Sequence, residues 1–132
     1  MAATLIDGKA IAARTRERIA ADVAAFERQH GRPPGLATIL VGEDEASRIY
    51  VAGKHRACEE VGITPVGHVL AADAPAADVE ALIGRLNEDD AVDGILCQLP
   101  VPGHLDGVAL TGRIDPDKDV DGLTPASAGR LA

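Results

Sequence analysis

The chain has 132 residues, the size of one domain, and its 46% hydrophobic content is enough to build a core. A net charge of -8 and an aromatic share of 2%, Phe26 and Tyr50 alone, argue against a nucleic-acid partner, which needs cations for phosphates and rings for bases. No apolar run approaches the roughly 18 residues of a membrane span, the N-terminus MAATLIDGKAIAART has no export-signal pattern, and Cys58 and Cys97 make no disulfide framework, so the expectation is a cytoplasmic protein with reduced thiols and no membrane partner.

In chain order, Ile11, Thr15, Ile19, Val23 and Phe26 recur at helical spacing and predict a helix over Gly8 to His30 with one core stripe. Gly31, Arg32, Pro33 and Pro34 stop it. Gly35 to Val41, GLATILV, reads as a strand buried on both faces. The next helix starts near Asp44 or Glu45 and ends before Gly62.

At about 100° per residue, Tyr50, Val51, Lys54, Ala57, Cys58 and Val61 of this helix share an arc of roughly 120° with Ser47, while Ile49 points the other way. Lys54 thus falls in the middle of the face expected to be buried. Either its stem packs on apolar surface and the ammonium reaches water, or the amine is partly desolvated and serves as a proton-transferring group or nucleophile.

A strand near Pro65 to Leu70 follows, with proline at its start. Asp73 as cap and Pro75 as opening residue introduce a helix with Val79, Leu82, Ile83 and Leu86 on one face. Val92 to Leu99, VDGILCQL, reads as the third strand. Strands alternating with helix-length crossovers give βαβαβ, hence an α/β fold of three layers, α/β/α, with a parallel sheet and right-handed crossovers.

Ligands of such sheets bind beyond the carboxyl ends of the strands. Here those ends are Val41 with Gly42, Leu70, and Gln98 with Leu99. Gln98 is the polar exception in its strand, and the helix carrying Tyr50 and Lys54 leaves from the neighbouring end. An amide at a strand end can equally just cap loop backbone.

The loop PVPGHLDG is stiff enough to form a wall, and a short helix over about Asp106 to Arg113 follows it. Asp117, Asp119, Asp121 and Gly122 fit the start of a calcium loop, but its twelfth position is Ala128 rather than glutamate, and calcium is rejected. His30, His55, His68 and His104 have no metal-ligand spacing. No GxGxxG or GxxxxGK[ST] phosphate loop is present, and Glu43, Asp44 and Glu45 oppose an anion at the one helix start that follows a strand and glycine.

VGEDEASRIYVAGKHRACEEVGI from Val41, DGILCQLPVPGHL from Asp93 and KDVDGLTPASAGRL from Lys118 together resemble the N-terminal, catalytic domain of the bifunctional methylenetetrahydrofolate dehydrogenase/methenyltetrahydrofolate cyclohydrolase family. The resemblance covers nearly the whole chain. It implies that Lys54 is the catalytic lysine, Gln98 the glutamine supporting it, Tyr50 the tyrosine packing on the folate rings and Asp121 the aspartate anchoring the pterin. Leu99 and Pro100 then form the wall beside the substrate.

The implied activity is oxidation of 5,10-methylenetetrahydrofolate with NADP, then hydrolysis of the methenyl bridge to 10-formyltetrahydrofolate, in a homodimer. Arg56, Cys97, Thr124 and Ser127 depart from the family pattern, the last two where histidine and asparagine are usual. Family members continue into an NADP-binding Rossmann-type domain, so residues 1–132 are expected to be the catalytic half, binding reduced folate weakly without dehydrogenase turnover. A folate-binding fragment without turnover, and an enzyme forming a Schiff base on Lys54, are the rival readings.

Overall fold

The computed structural model describes residues 1–132, which form helix α1 (Gly8–His30), strand β1 (Gly35–Val41), α2 (Glu45–Val61), β2 (Thr64–Leu70), α3 (Ala76–Glu88), β3 (Gly94–Cys97), α4 (Gly107–Thr111), a 3-10 turn at Pro116–Lys118, and α5 (Pro125–Leu131). The three strands pair in parallel in the order β2-β1-β3, with Ile39 opposite His68 on one side and Cys97 on the other.

β1 is the central strand, and both of its faces are buried. Ala37, Ile39 and Val41 point into a core with Val79, Leu82, Ile83 and Leu86 of α3, Ile95 and Cys97 of β3, and Leu110 of α4. The alternate residues Thr38 and Leu40 are buried under α2 on the opposite face. The α/β/α sandwich with a parallel βαβαβ sheet is therefore the observed fold.

The third strand is shorter than Val92 to Leu99. Val92 and Asp93 belong to the turn out of α3, and beyond Gln98, whose N–H still donates to Ile39 O at 2.9 Å, Pro100 and Pro102 lack the donors that a ladder needs. Asp73 does not cap α3; the helix begins at Ala76 with Pro75 in the cap position and no side-chain cap bond. The core stripe expected along α1 is mostly open, since Ile11 is 46% and Ile19 37% exposed and only Val23 is buried. The helix packs mainly on α2 rather than on the sheet. Pro125–Leu131 form a further short helix, α5, started by Thr124 and Pro125.

Arg32, between α1 and β1, ties the N-terminal end of the sheet together. Its guanidinium donates to both carboxylate oxygens of Asp93, at 2.7 and 3.0 Å, and to Asp90 O at 2.6 Å, and lies 5.5 Å from the centre of the Phe26 ring. The hydrogen bond from Arg32 holds the Asp93 carboxyl below the usual aspartate range, and the Gly35 N–H, donating at 2.8 Å, adds to it. A depressed folded-state value means stability present above the unfolded pKa of about 3.9 and lost as pH falls through the lower folded value. Thermal melts are accordingly expected to fall off less steeply on the acid side in Asp93→Asn than in the parent, with the variant already less stable at pH 7. Equal acid-side slopes would remove Asp93 from the account.

Candidate active site

α2 leaves the carboxyl end of β1 through Gly42, which has φ 92°, and runs back across the sheet. Its start is fixed by Asp44, whose carboxylate accepts from the Ser47 N–H at 2.8 Å and is held below its usual pKa by that bond. Its end is fixed by Gly62 at φ 91°, whose N–H reaches back to Cys58 O and Glu59 O. Between these caps Ser47, Val51, Cys58 and Val61 are buried, which sets the rotation of the helix.

With that rotation Lys54 is half-buried, and its ammonium donates to Gln98 Oε1 at 2.8 Å. The Gln98 amide in turn donates to Leu99 O at 3.0 Å, so the oxygen end of the amide is committed to the lysine. Gln98 shares the side of β3 that Leu96 occupies, facing α2 rather than α3. The lysine does not simply snorkel: it meets a specific acceptor at the rim of the sheet.

Tyr50, placed by helical phase among the buried residues, is 63% exposed. Tyr50 falls at the margin of the arc, about 60° round the helix from Ser47, and so lies open although Ser47 and Val51 beside it are buried. Leu99 is 39% exposed and Pro100 is exposed, joined by a cis peptide bond, at the start of the wall loop.

Asp121 is exposed and makes no hydrogen bond to Lys54 or Gln98. Its segment runs beside β3, where Asp119 bridges to Ile95. Burial pushes the Cys97 thiol up to about 11, and the Asp121 carboxylate adds to the rise. A thiol so raised stays protonated and is no nucleophile. Lys54, Gln98 and Leu99 are thus joined by hydrogen bonds, Tyr50 lies open one helical turn from Lys54, and Asp121 is exposed in the segment beside β3.

Thr124 and Ser127, at the positions where the sequence departs from the family pattern, serve the fold. Thr124 is buried, accepts from the Ser127 N–H at 3.1 Å to cap α5, and donates its own N–H to Asp119 at 2.8 Å. Burial pushes the Asp119 carboxyl up, but hydrogen bonds from Thr124, Ser127 and Leu123 outweigh it and hold the carboxyl below its usual range. The Asp119 to Ser127 stretch is tied down beside the site.

An open groove of about 490 Å³ lies elsewhere, between β2 and α3, with His68, Asp78 and Arg85 among its lining residues. Those three side chains make no hydrogen bond or ion pair with one another, whereas Lys54 and Gln98 at the rim are directly bonded. The residues present do not fit a dinucleotide. The start of α2 is filled by Asp44 and flanked by Glu43 and Glu45, which oppose phosphates.

Residues 6–121 match the family model for the tetrahydrofolate dehydrogenase/cyclohydrolase catalytic domain. Bifunctional protein FolD 2 of Frankia alni is 57% identical over 132 residues, which is 100% of this chain and 46% of that protein. The chain thus spans about half the length of the curated relatives it matches. The crystal structure of the bifunctional FolD methylenetetrahydrofolate dehydrogenase/cyclohydrolase from Campylobacter jejuni superposes with a TM-score of 0.94 at 42% identity, covering 98% of this chain and 46% of that one. That of the Trypanosoma brucei FolD, complexed with NADP cofactor and inhibitor, gives 0.91 at 38% identity, covering 98% and 44%. With the family match spanning most of the chain and the fold agreeing throughout, the chain belongs to the tetrahydrofolate dehydrogenase/cyclohydrolase family, in the part that forms its catalytic domain.

Proposed function

We propose that this chain is the catalytic half of an enzyme that oxidises 5,10-methylenetetrahydrofolate to 5,10-methenyltetrahydrofolate with NADP and hydrolyses the product to 10-formyltetrahydrofolate. The observation that carries the reading is the 2.8 Å contact of the Lys54 ammonium with Gln98 Oε1 at the carboxyl end of the sheet. It places one movable proton, held by a neutral acceptor, where parallel sheets bind ligands.

In the hydrolysis, water adds to the methenyl carbon and gives up its protons. The bond from that carbon to N5 breaks, N5 takes one proton, and one is released. Lys54 carries protons between the water and N5 during these steps, its ammonium giving one up before the amine takes one back, and Gln98 aims it. Tyr50, open one turn away, offers its ring to the folate ring system. Leu99 and Pro100 wall the substrate, and Asp121 pairs with the amino and ring nitrogens of the pterin.

The oxidation requires NADP to accept a hydride. This stretch has no glycine-rich phosphate loop and the start of α2 is acidic, so the part played here is holding and orienting the folate. Homodimer formation is part of the same reading and is open to sedimentation.

The test is an absorbance assay for loss of 5,10-methenyltetrahydrofolate on adding the purified chain. Catalysed loss above the buffer rate is expected, without dehydrogenase turnover when NADP and the methylene substrate are supplied. No acceleration over buffer would remove the hydrolytic assignment. Borohydride treatment with folate present should leave Lys54 unmodified; a Lys54 adduct in the mass spectrum would favour the Schiff-base chemistry instead.

Tyr50→Ala should weaken reduced-folate binding by roughly 0.5 to 1.5 kcal/mol beyond the lost contact area, the worth of an aromatic stack. An unchanged affinity in a calorimetric titration would contradict the stacking role.

A further inference from the structure

β1 carries one polar side chain in its buried middle, Thr38, which is 1% exposed. Its hydroxyl shares a hydrogen bond of 2.8 Å with Nε2 of His55, the residue after Lys54 on α2. On the neighbouring strand Gly67 stands opposite Thr38, and a Cβ there would sit 3.0 Å from His55 Cε1. Three residues on three elements therefore fit one another: a hydroxyl to hold the ring, a ring on the helix, and a glycine that leaves room for it.

The two polar attachments of α2 to the sheet lie on opposite flanks. His55 grips the β2 side through Thr38 beside Gly67, and Lys54 reaches the β3 side through Gln98. Val51 and Cys58 between them are apolar and resist rolling only weakly, whereas a hydrogen bond to a buried hydroxyl fixes an angle.

We propose that His55 is a positioning residue: its hydrogen bond to Thr38 sets the roll of α2 and so holds the Lys54 amine in line with Gln98 and the substrate. The inference rests on the hydrolytic reading of the Lys54 site. A roll of about 10° moves a group at the helix surface, roughly 6 Å from the axis, by about 1 Å. A misplacement of that size costs on the order of 10²-fold in rate.

The test compares kcat and KM for methenyltetrahydrofolate hydrolysis in Thr38→Val, His55→Leu, His55→Gln and Gly67→Ala. Thr38→Val and His55→Leu keep volume and remove the bond, and each should lower kcat roughly 10- to 100-fold with KM within about twofold. His55→Gln, whose amide can reach the Thr38 hydroxyl, should recover most of the loss. Gly67→Ala, on the exposed edge strand, puts a methyl 3.0 Å from the His55 ring and should lower kcat by pushing it, and it remains readable if a buried variant fails to fold. Ile83→Val, in the core on the other face of the sheet, provides a destabilised control whose kcat should not change.

Parental kcat in Thr38→Val, His55→Leu and Gly67→Ala, whatever their melting temperatures, overturns the proposal, as does a kcat loss that His55→Gln fails to recover. Parental turnover in Lys54→Met is a separate result: it overturns the underlying site assignment rather than the helix-roll argument.

Discussion

Lys54→Met is expected to lower methenyltetrahydrofolate hydrolysis by about 10²-fold or more while leaving the fold intact. Positioned proton transfer contributes typically 10²- to 10⁴-fold, and Lys54 is the group that the geometry offers for it. Methionine keeps the unbranched apolar stem that packs along α2 and loses only the amine that donates to Gln98. Gln98 sits at the half-exposed rim, where water can satisfy its freed oxygen, so the melting temperature should stay near the parent's. Far-UV circular dichroism establishes the fold and the absorbance assay the rate. A folded variant with near-parental turnover would take Lys54 out of the mechanism.

Gly35→Ala should be among the most damaging single-methyl additions to stability, about 2 to 3 kcal/mol. Gly35 opens the central strand where the turn after α3 crosses it. Its N–H donates to Asp93 at 2.8 Å, its carbonyl accepts from the Asp93 N–H at 2.9 Å, and a Cβ would collide with the carbonyl oxygen of Ala91. Relief requires moving the turn, which breaks that exchange and disturbs the Arg32 clamp together. Against a total of about 5 to 15 kcal/mol this is a large share, seen as a lower urea midpoint with an unchanged slope. A parental midpoint would show that the turn yields freely.

Much of this architecture is written locally. The Asp44 cap, the Gly62 stop and the apolar runs of β1 and β3 locate the elements, and the parallel order follows from the crossover lengths. The meeting of Lys54 with Gln98 was legible because helix phase and strand end pointed separately to one rim. Tyr50 is the exception, since it lies at the margin of the arc and phase alone does not tell where the packed face of α2 ends. The same blindness to tertiary placement made the α1 stripe look like core, although most of it has nothing beneath it.

Other features depend on contacts between distant residues. Asp121 owes its place to the bridge of Asp119 with Ile95 and to the Thr124 cap, neither of which a charge-rich loop announces. The His55 and Thr38 bond left one trace, a threonine in an otherwise apolar buried strand with a glycine in the strand paired to it. A single β-branched threonine in a strand is ordinary enough to pass unremarked.

The most direct test of the rim as a folate site is an amide-resonance titration of the labelled chain with 5-formyltetrahydrofolate, a stable reduced folate. The account predicts that the largest shifts fall on Tyr50, Lys54, Leu99 and the side-chain amide of Gln98, with smaller ones near Asp121. Shifts confined to the groove of His68, Asp78 and Arg85, or none at millimolar folate, would contradict it.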